Sequence, residues 1–142
     1  MTAPVTLHAT AVALGGRAVL LTGPSGAGKS DLALRLIDRG AELVADDYTM
    51  LVHDGEHLMA GSPATIAGRM EVRGLGIVDR PYRRVAPVAL VVALGEEDER
   101  MPEPRWIELA GVTLPEIVID PHWPSAPIKV EYALARLKEM PS

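Results

Sequence analysis

The sequence contains no cysteine and no phenylalanine. Without cysteine there are no disulfides and no cysteine–zinc sites, and the chain fits a reducing compartment. With Phe absent and aromatics only 4% of residues, the core has to be built from Val, Leu, Ile and Ala. No apolar run approaches the roughly 20 residues that span a bilayer, and Met1-Thr2-Ala3-Pro4-Val5 lacks the basic and apolar regions of a signal peptide. A positive excess is missing too. The net charge of −5 argues against a protein that coats nucleic acid or an anionic membrane. These absences predict a soluble, cytoplasmic protein, and 142 residues suit one domain, residues 1–142, with a real core.

What is present is a phosphate-binding loop. Gly23-Pro24-Ser25-Gly26-Ala27-Gly28-Lys29-Ser30 fits G-x-x-x-x-G-K-[ST] at every required position. Its glycines let backbone N–H groups turn inward on an anion without a Cβ in the way. Lys29 supplies a point charge for the β- and γ-phosphates, and Ser30 places a hydroxyl on Mg²⁺. The context agrees: Ala18 to Thr22 is an apolar, β-prone run. Asp31 to Arg39 has apolar residues at 32, 33, 36 and 37 and is closed by Gly40 as a C-cap.

The chain around the loop reads as α/β with a mixed sheet. Thr6 to Leu14 is a strand, and Gly15-Gly16 is a two-residue hairpin signal before the next one. If Leu14 pairs with Arg17, the register sets His8 opposite Gly23, at the mouth of the loop. After the helix comes the strand Ala41 to Ala45, and a strand–helix–strand unit of this size makes a right-handed parallel crossover. Both strands then end at the sheet edge where ligands bind. Asp46 and Asp47 emerge there, one suited to holding Mg²⁺ and one to accepting a hydroxyl proton, with the division between them open.

Further along, Tyr48 to Val52 and Glu56 to Ala60 read as a second hairpin about His53-Asp54-Gly55. Because a turn separates His53 from His57, their i, i+4 spacing is not a helical metal face. Ile66 to Met70 reads as a short helix, followed by a glycine-flexible segment from Glu71 to Asp79. Arg80-Pro81-Tyr82-Arg83-Arg84 is a basic cluster, either a solvated loop or a docking patch for an acidic partner. Strands are predicted over Val85 to Leu94, Arg105 to Leu109 and Val112 to Ile119. A loop covers Pro121 to Pro127, and an amphipathic helix Lys129 to Met140.

Three blocks in this order carry a resemblance. The phosphate loop, the run Leu36 to Asp47, and Glu71-Val72-Arg73-Gly74-Leu75-Gly76-Ile77-Val78-Asp79 together resemble the catalytic domain of HPr kinase/phosphorylase. The resemblance implies a P-loop kinase domain that uses ATP and Mg²⁺ to phosphorylate a serine on an HPr-like phosphocarrier protein of a phosphotransferase system. It implies His8 as an active-site histidine, Gly23 to Ser30 on nucleotide, Lys29 on the transferring phosphoryl, and Asp47, with Asp46 beside it, on the serine proton. Ser30 and Glu71 are implied as Mg²⁺ ligands and Arg100 as a catalytic arginine. The family's N-terminal domain has no counterpart, as in short alphaproteobacterial members, and its members assemble as hexamers. The arginine-bearing segment tied to dephosphorylation is replaced by Pro121 to Pro127, which holds no arginine, so kinase activity is better supported than phosphorylase activity. Two other readings compete: a small-molecule kinase with the same loop, and a non-catalytic ATP-sensing module.

Overall fold

Two glycines set the first register. Gly15 and Gly16 both take positive φ (59° and 82°), as a two-residue hairpin turn requires for its twist to match the flanking strands. Strands β2 (Ala9–Leu14) and β3 (Arg17–Thr22) pair accordingly, from Leu14 opposite Arg17 to Ala9 opposite Thr22. In the computed structural model, which describes residues 3–137, the ladder stops one pair short of His8. The single strand expected from Thr6 to Leu14 is broken there. Its first part, β1 (Val5–Leu7), pairs instead with β5 (Thr49–Asp54). His8 therefore stands at a bend between two pairings rather than across a ladder from Gly23.

Helix α1 (Lys29–Asp38) starts directly on the phosphate loop and buries Leu32, Ala33, Leu36 and Ile37. It ends as its sequence suggests. Gly40 (φ 112°) donates to the Ile37 carbonyl at 3.0 Å, and Ala41 donates to the Leu36 carbonyl at 3.1 Å. These bonds satisfy carbonyls that a helix end otherwise leaves open. Strand β4 (Glu42–Ala45) then pairs antiparallel with β2, so β2 lies between β3 and β4, and those two run parallel. The β2–β4 register skips Val44, going from Leu43 opposite Val12 to Ala45 opposite Ala11. Such a bulge re-aims the residues after it. Val44 and Ala45 both join the core on one face of the sheet, and Asp46 turns to the face that α1 covers.

The second hairpin joins β5 to β6 (His57–Gly61) with Asp54 opposite His57, so its turn lies one residue later than expected. Met70 corrects the short helix expected over Ile66 to Met70. A single 3₁₀ turn covers Ala64–Ile66, and Arg69–Val72 forms β7, paired with β8 (Gly76–Asp79) in a separate two-stranded sheet. Period-two burial explains the outcome, since Met70 is buried among the α1 side chains between exposed Arg69 and Glu71. The expected glycine-flexible segment is thus this hairpin.

Strand β9 (Val85–Leu94) organises the main sheet. One edge pairs parallel with β3; the other pairs antiparallel with β6 through residues 85–87 and parallel with β11 (Val112–Ile119) through 91–94. A register shift between Val88 and Leu90 passes over Ala89. As a result Ala86 and Val88 face one core, while Leu90, Val92 and Leu94 face the other, with α1. Strand β10 (Arg105–Leu109) completes the sheet on β11. Helix α2 (Ala126–Leu137) buries Val130 and Leu134 against the α1 side, with Ala133 and Leu137 packed beside them. The rest of that expected helix, Lys138 to Met140, lies outside the described residues. The result is the α/β fold with a mixed sheet that the sequence predicts.

Residues 80–83 close the far edge of the sheet, with Tyr82 bridging Leu43 and the Arg83 N–H donating to the Leu43 carbonyl at 2.7 Å. Gly68 is what lets the β7–β8 hairpin dock there. It has φ 76°, its carbonyl accepts from Arg80 N–H at 2.9 Å, and a Cβ would come within 2.9 Å of the Tyr82 ring and 3.1 Å of the Arg80 carbonyl. Gly68→Ala should therefore destabilise the protein by about 1–3 kcal/mol. Gly95→Ala, with open space around it, should change little; urea unfolding of the two variants checks the difference.

Candidate active site

Strands β3, β9 and β11 are mutually parallel, and with β4 they deliver four loops to one edge of the sheet. The loop after β3 is the phosphate loop. Gly23, Gly26 and Gly28 all have positive φ, and a Cβ on Gly23 would meet Ala27 Cβ at 3.1 Å. Gly28 caps α1 in the left-handed conformation without any side-chain cap. The first N–H groups of the helix therefore remain available to an anion, where the helix dipole favours negative charge. Lys29 is 6% exposed, and its Nζ donates to the Gly23 and Pro24 carbonyls at 2.7 and 3.1 Å. Its ammonium is thus held inside the curve of the loop. Pro24, Ser25 and Gly26 form the exposed rim.

The loop after β4 separates the two aspartates. Asp46 is 6% exposed. Its Oδ1 accepts from Ser30 Oγ at 2.6 Å and Thr10 Oγ1 at 3.1 Å, and its Oδ2 accepts from the Glu71 N–H at 2.9 Å. All three donors are neutral, and no ion pair among the described residues includes Asp46. Asp47 is different in every respect. Its side chain is 57% exposed, and His8 Nε2 donates to its Oδ1 at 2.8 Å. Its φ is 69°, with the Tyr48 N–H bonded back to the Asp46 carbonyl at 2.8 Å. That is the rarer γ-turn with positive φ, a conformation that costs of order 1–3 kcal/mol. The Tyr48 ring lies 5.3 Å from the His8 ring.

Thr10 is the residue that sequence reasoning missed. It is fully buried on β2, donates to Asp46, and accepts the Asp47 N–H at 3.1 Å. The available signal was a hydroxyl between Ala9 and Ala11 in an apolar run, two positions after a histidine at the same sheet edge. Glu71 is brought to the site through its main chain; its side chain is exposed on β7. Arg100 is not brought to the aspartates. It lies exposed on the loop after β9, lining a hollow with Glu97, Trp123 and Lys129, and no hydrogen bond or ion pair among the described residues joins it to them. The basic cluster is also divided. Arg83 pairs with Glu42 at 3.4 Å, and Arg84 stands at the start of β9, a strand length from the phosphate loop.

The loop after β11 closes the site on its other side. Pro121 lies 3.6 Å from where a Gly28 Cβ would be. Arg35 of α1 donates to the Pro121 and Trp123 carbonyls at 2.7 and 3.4 Å, so an α1 guanidinium holds this arginine-free turn. Asp120 accepts from the backbone N–H and the ring of His122, which lowers its pKa. At Glu97 burial pushes the pKa up, but hydrogen bonds from Lys129 and the Asp120 N–H outweigh it and the net shift is down. Both contributions to stability are therefore present above the ordinary carboxylate range and are lost as pH falls through the lowered values.

The donor set suits Mg²⁺ rather than an all-protein metal cage. No group of three or more His, Cys, Asp or Glu forms such a cage among the described residues. Mg²⁺ instead typically takes one or two carboxylates plus phosphate oxygens and water, and Ser30 with Asp46 at 2.6 Å offers that arrangement beside the phosphate loop.

Residues 1–100 match the model of the HPr Serine kinase C-terminal domain. An HPr kinase/phosphorylase from Chloroherpeton thalassium is 37% identical over 137 residues, covering 87% of this chain and 40% of that protein. One from Clostridium tetani is 49% identical over 75 residues, covering 53% of this chain and 25% of that protein. The chain thus spans about 40% of the length of the first of these relatives. The structure of the Hpr(Ser) kinase/phosphatase from Coxiella burnetii superposes with a TM-score of 0.79 at 30% identity, covering 93% of this chain and 94% of that one. A phosphate loop, a buried carboxylate on its serine and a second carboxylate on a histidine thus stand in a chain that belongs to the HPr serine kinase C-terminal domain family.

Proposed function

We propose that this domain transfers the γ-phosphoryl group of ATP to a serine hydroxyl of an HPr-like phosphocarrier protein, with Mg²⁺ as cofactor. The observation that carries this reading is the separation of the aspartates: Asp46 buried on Ser30, Asp47 exposed on His8. Phosphoryl transfer to a hydroxyl needs one carboxylate on the metal side and another to take the proton. Ser30 and Asp46 are the residues to hold Mg²⁺, with the Glu71 side chain as a further carboxylate at the same edge. Bound there, Mg²⁺ would neutralise charge on the β- and γ-phosphate oxygens.

The residues of the chain supply the remaining roles. Gly23 to Ser30 cradle the phosphates with backbone N–H groups and the α1 N-terminus. The Lys29 ammonium exchanges loop carbonyls for phosphate oxygens and stabilises the transferring group. Asp47 accepts the serine proton as the serine oxygen bonds to the γ-phosphorus and the bond to the bridging oxygen of ADP breaks. Its Oδ2 carries no hydrogen bond among the described residues, and His8 holds the carboxylate in place through Oδ1. Arg100 acts only if its loop moves toward the phosphates. The arginine-free turn at Pro121 to Pro127 supports the forward, kinase direction over phosphorolysis.

The test is incubation of the purified protein with ATP, Mg²⁺ and an HPr-like carrier, with phosphoserine read by mass spectrometry. Asp47→Asn should lower kcat by about 10²-fold or more while nucleotide affinity is kept. Transfer that survives Asp46→Asn and Asp47→Asn together overturns the assignment. Phosphate on a metabolite but never on the carrier would identify a small-molecule kinase. Thr10 gives a second prediction. Thr10→Val leaves the Asp47 N–H unpartnered and should cost about 1–3 kcal/mol in urea unfolding, with a fall in kcat. Thr10→Ser keeps the hydroxyl and should recover most of the activity.

A further inference from the structure

The proposed phosphotransfer accounts for the phosphates of the nucleotide and leaves its base without a place. Among the described residues two exposed aromatic rings stand on loops at the phosphate-loop edge: Tyr48, set against the His8 ring on the aspartate side, and Trp123. Trp123 is 55% exposed, although indole is large and apolar and the chain has only two tryptophans. It lines a hollow of about 330 Å³ with Glu97, Asp98, Glu99, Arg100 and Ser125. Lys129 sits over the ring, 5.9 Å from its centroid. We propose that Trp123 is the stacking shelf for the base of a purine nucleotide whose phosphates occupy the loop from Gly23 to Ser30. The inference deepens the kinase reading and rests on its nucleotide.

Position is the first argument. Pro121 touches the phosphate loop at Gly28, and Trp123 follows two residues later, so their Cα atoms are at most about 7 Å apart. A nucleoside extending from phosphates in that loop can reach the indole without leaving the surface. Rigidity is the second. Arg35 holds the carbonyls on both sides of His122, the Asp120 N–H donates to Glu97 at 2.8 Å, and the Gly95 N–H donates to the Ile119 carbonyl at 3.0 Å. These bonds join the loops after β9 and β11 and preorganise the turn, so little ordering entropy remains to be lost on binding.

Charge is the third argument, and it separates base from phosphate. The hollow is lined by Glu97, Asp98 and Glu99 and by Arg100 and Lys129, a net negative lining; Lys129 pairs with Glu97 at 2.8 Å, and the carboxylates of Asp98 and Glu99 lie outside that pair. They are acceptors only, and the partners they suit are the exocyclic amino group of adenine and the ribose hydroxyls. Exposed aromatic rings bind bases because every base has a π-face, at about 1–3 kcal/mol per base.

The experiment compares ATP with inorganic tripolyphosphate, each with Mg²⁺, by calorimetry on the whole chain. Trp123→Ala should weaken ATP binding roughly tenfold, change tripolyphosphate binding less than about twofold, and leave the fold intact because the side chain is exposed. Trp123→Phe should retain most of the ATP affinity. In a Trp106→Phe background, where Trp123 is the only indole, ATP should quench fluorescence and tripolyphosphate should not. Wild-type ATP affinity in Trp123→Ala, or equal losses for both ligands, overturns the shelf while the phosphate loop stands. If wild-type protein binds neither ligand, the kinase reading fails and the shelf falls with it.

Discussion

The Asp46 carboxylate holds the site together. Three hydrogen bonds reach it from three other elements: Thr10 on β2, Ser30 on α1 and the Glu71 main chain on β7. Burying a carboxylate is unfavourable unless it is hydrogen-bonded, and each such bond to a charged acceptor contributes about 1.5–3 kcal/mol. The same bonds bring the phosphate-loop helix, strand β2 and the separate hairpin into one arrangement. No cation among the described residues neutralises the group. A hub stabilised by neutral donors beside a phosphate loop is what a divalent cation would complete.

Asp47 is specified through that hub. Its amide donates to Thr10, whose hydroxyl donates to Asp46, so one buried threonine links both aspartates. The positive φ at Asp47 is a strained feature that surrounding contacts must maintain. The γ-turn and the Thr10 bond do so, and they point the carboxylate outward to His8. Two adjacent residues thereby occupy opposite environments. In a regular strand they would face opposite sides of the sheet without either being set at its edge.

Two register shifts decide which side chains reach which face. At Val44 the shift turns Asp46 toward α1, and at Ala89 it moves Leu90, Val92 and Leu94 to the core opposite the one that Ala86, Val88 and Val91 join. Strand β9 also runs alongside β3 to the phosphate-loop edge, which places the acidic loop from Glu96 beside the turn at Trp123. The two neighbouring sites differ in charge: cationic Lys29 and helix N–H groups in the loop, three carboxylates with Arg100 and Lys129 in the hollow.

Much of this was legible in the chain because it is encoded locally. The phosphate loop, the Gly15-Gly16 register, the Gly40 helix end and the bounds of β9, β10 and β11 all depend on glycine conformation or hydrophobic period within a few residues. What local pattern could not supply were contacts at long separation. His8 meets Asp47 39 residues on, Thr10 meets Asp46 36 residues on, and Asp46 meets Glu71 25 residues on. The break at His8 is of the same kind, because β1 leaves its strand only to find a partner in β5. Sequence alone determined that a phosphate-loop motif opens the first helix and that two aspartates end the strand after it. Tertiary structure decided which aspartate is buried and which is exposed on His8, because hydrogen bonding and burial at Asp46 depend on elements that come together only when the sheet is assembled.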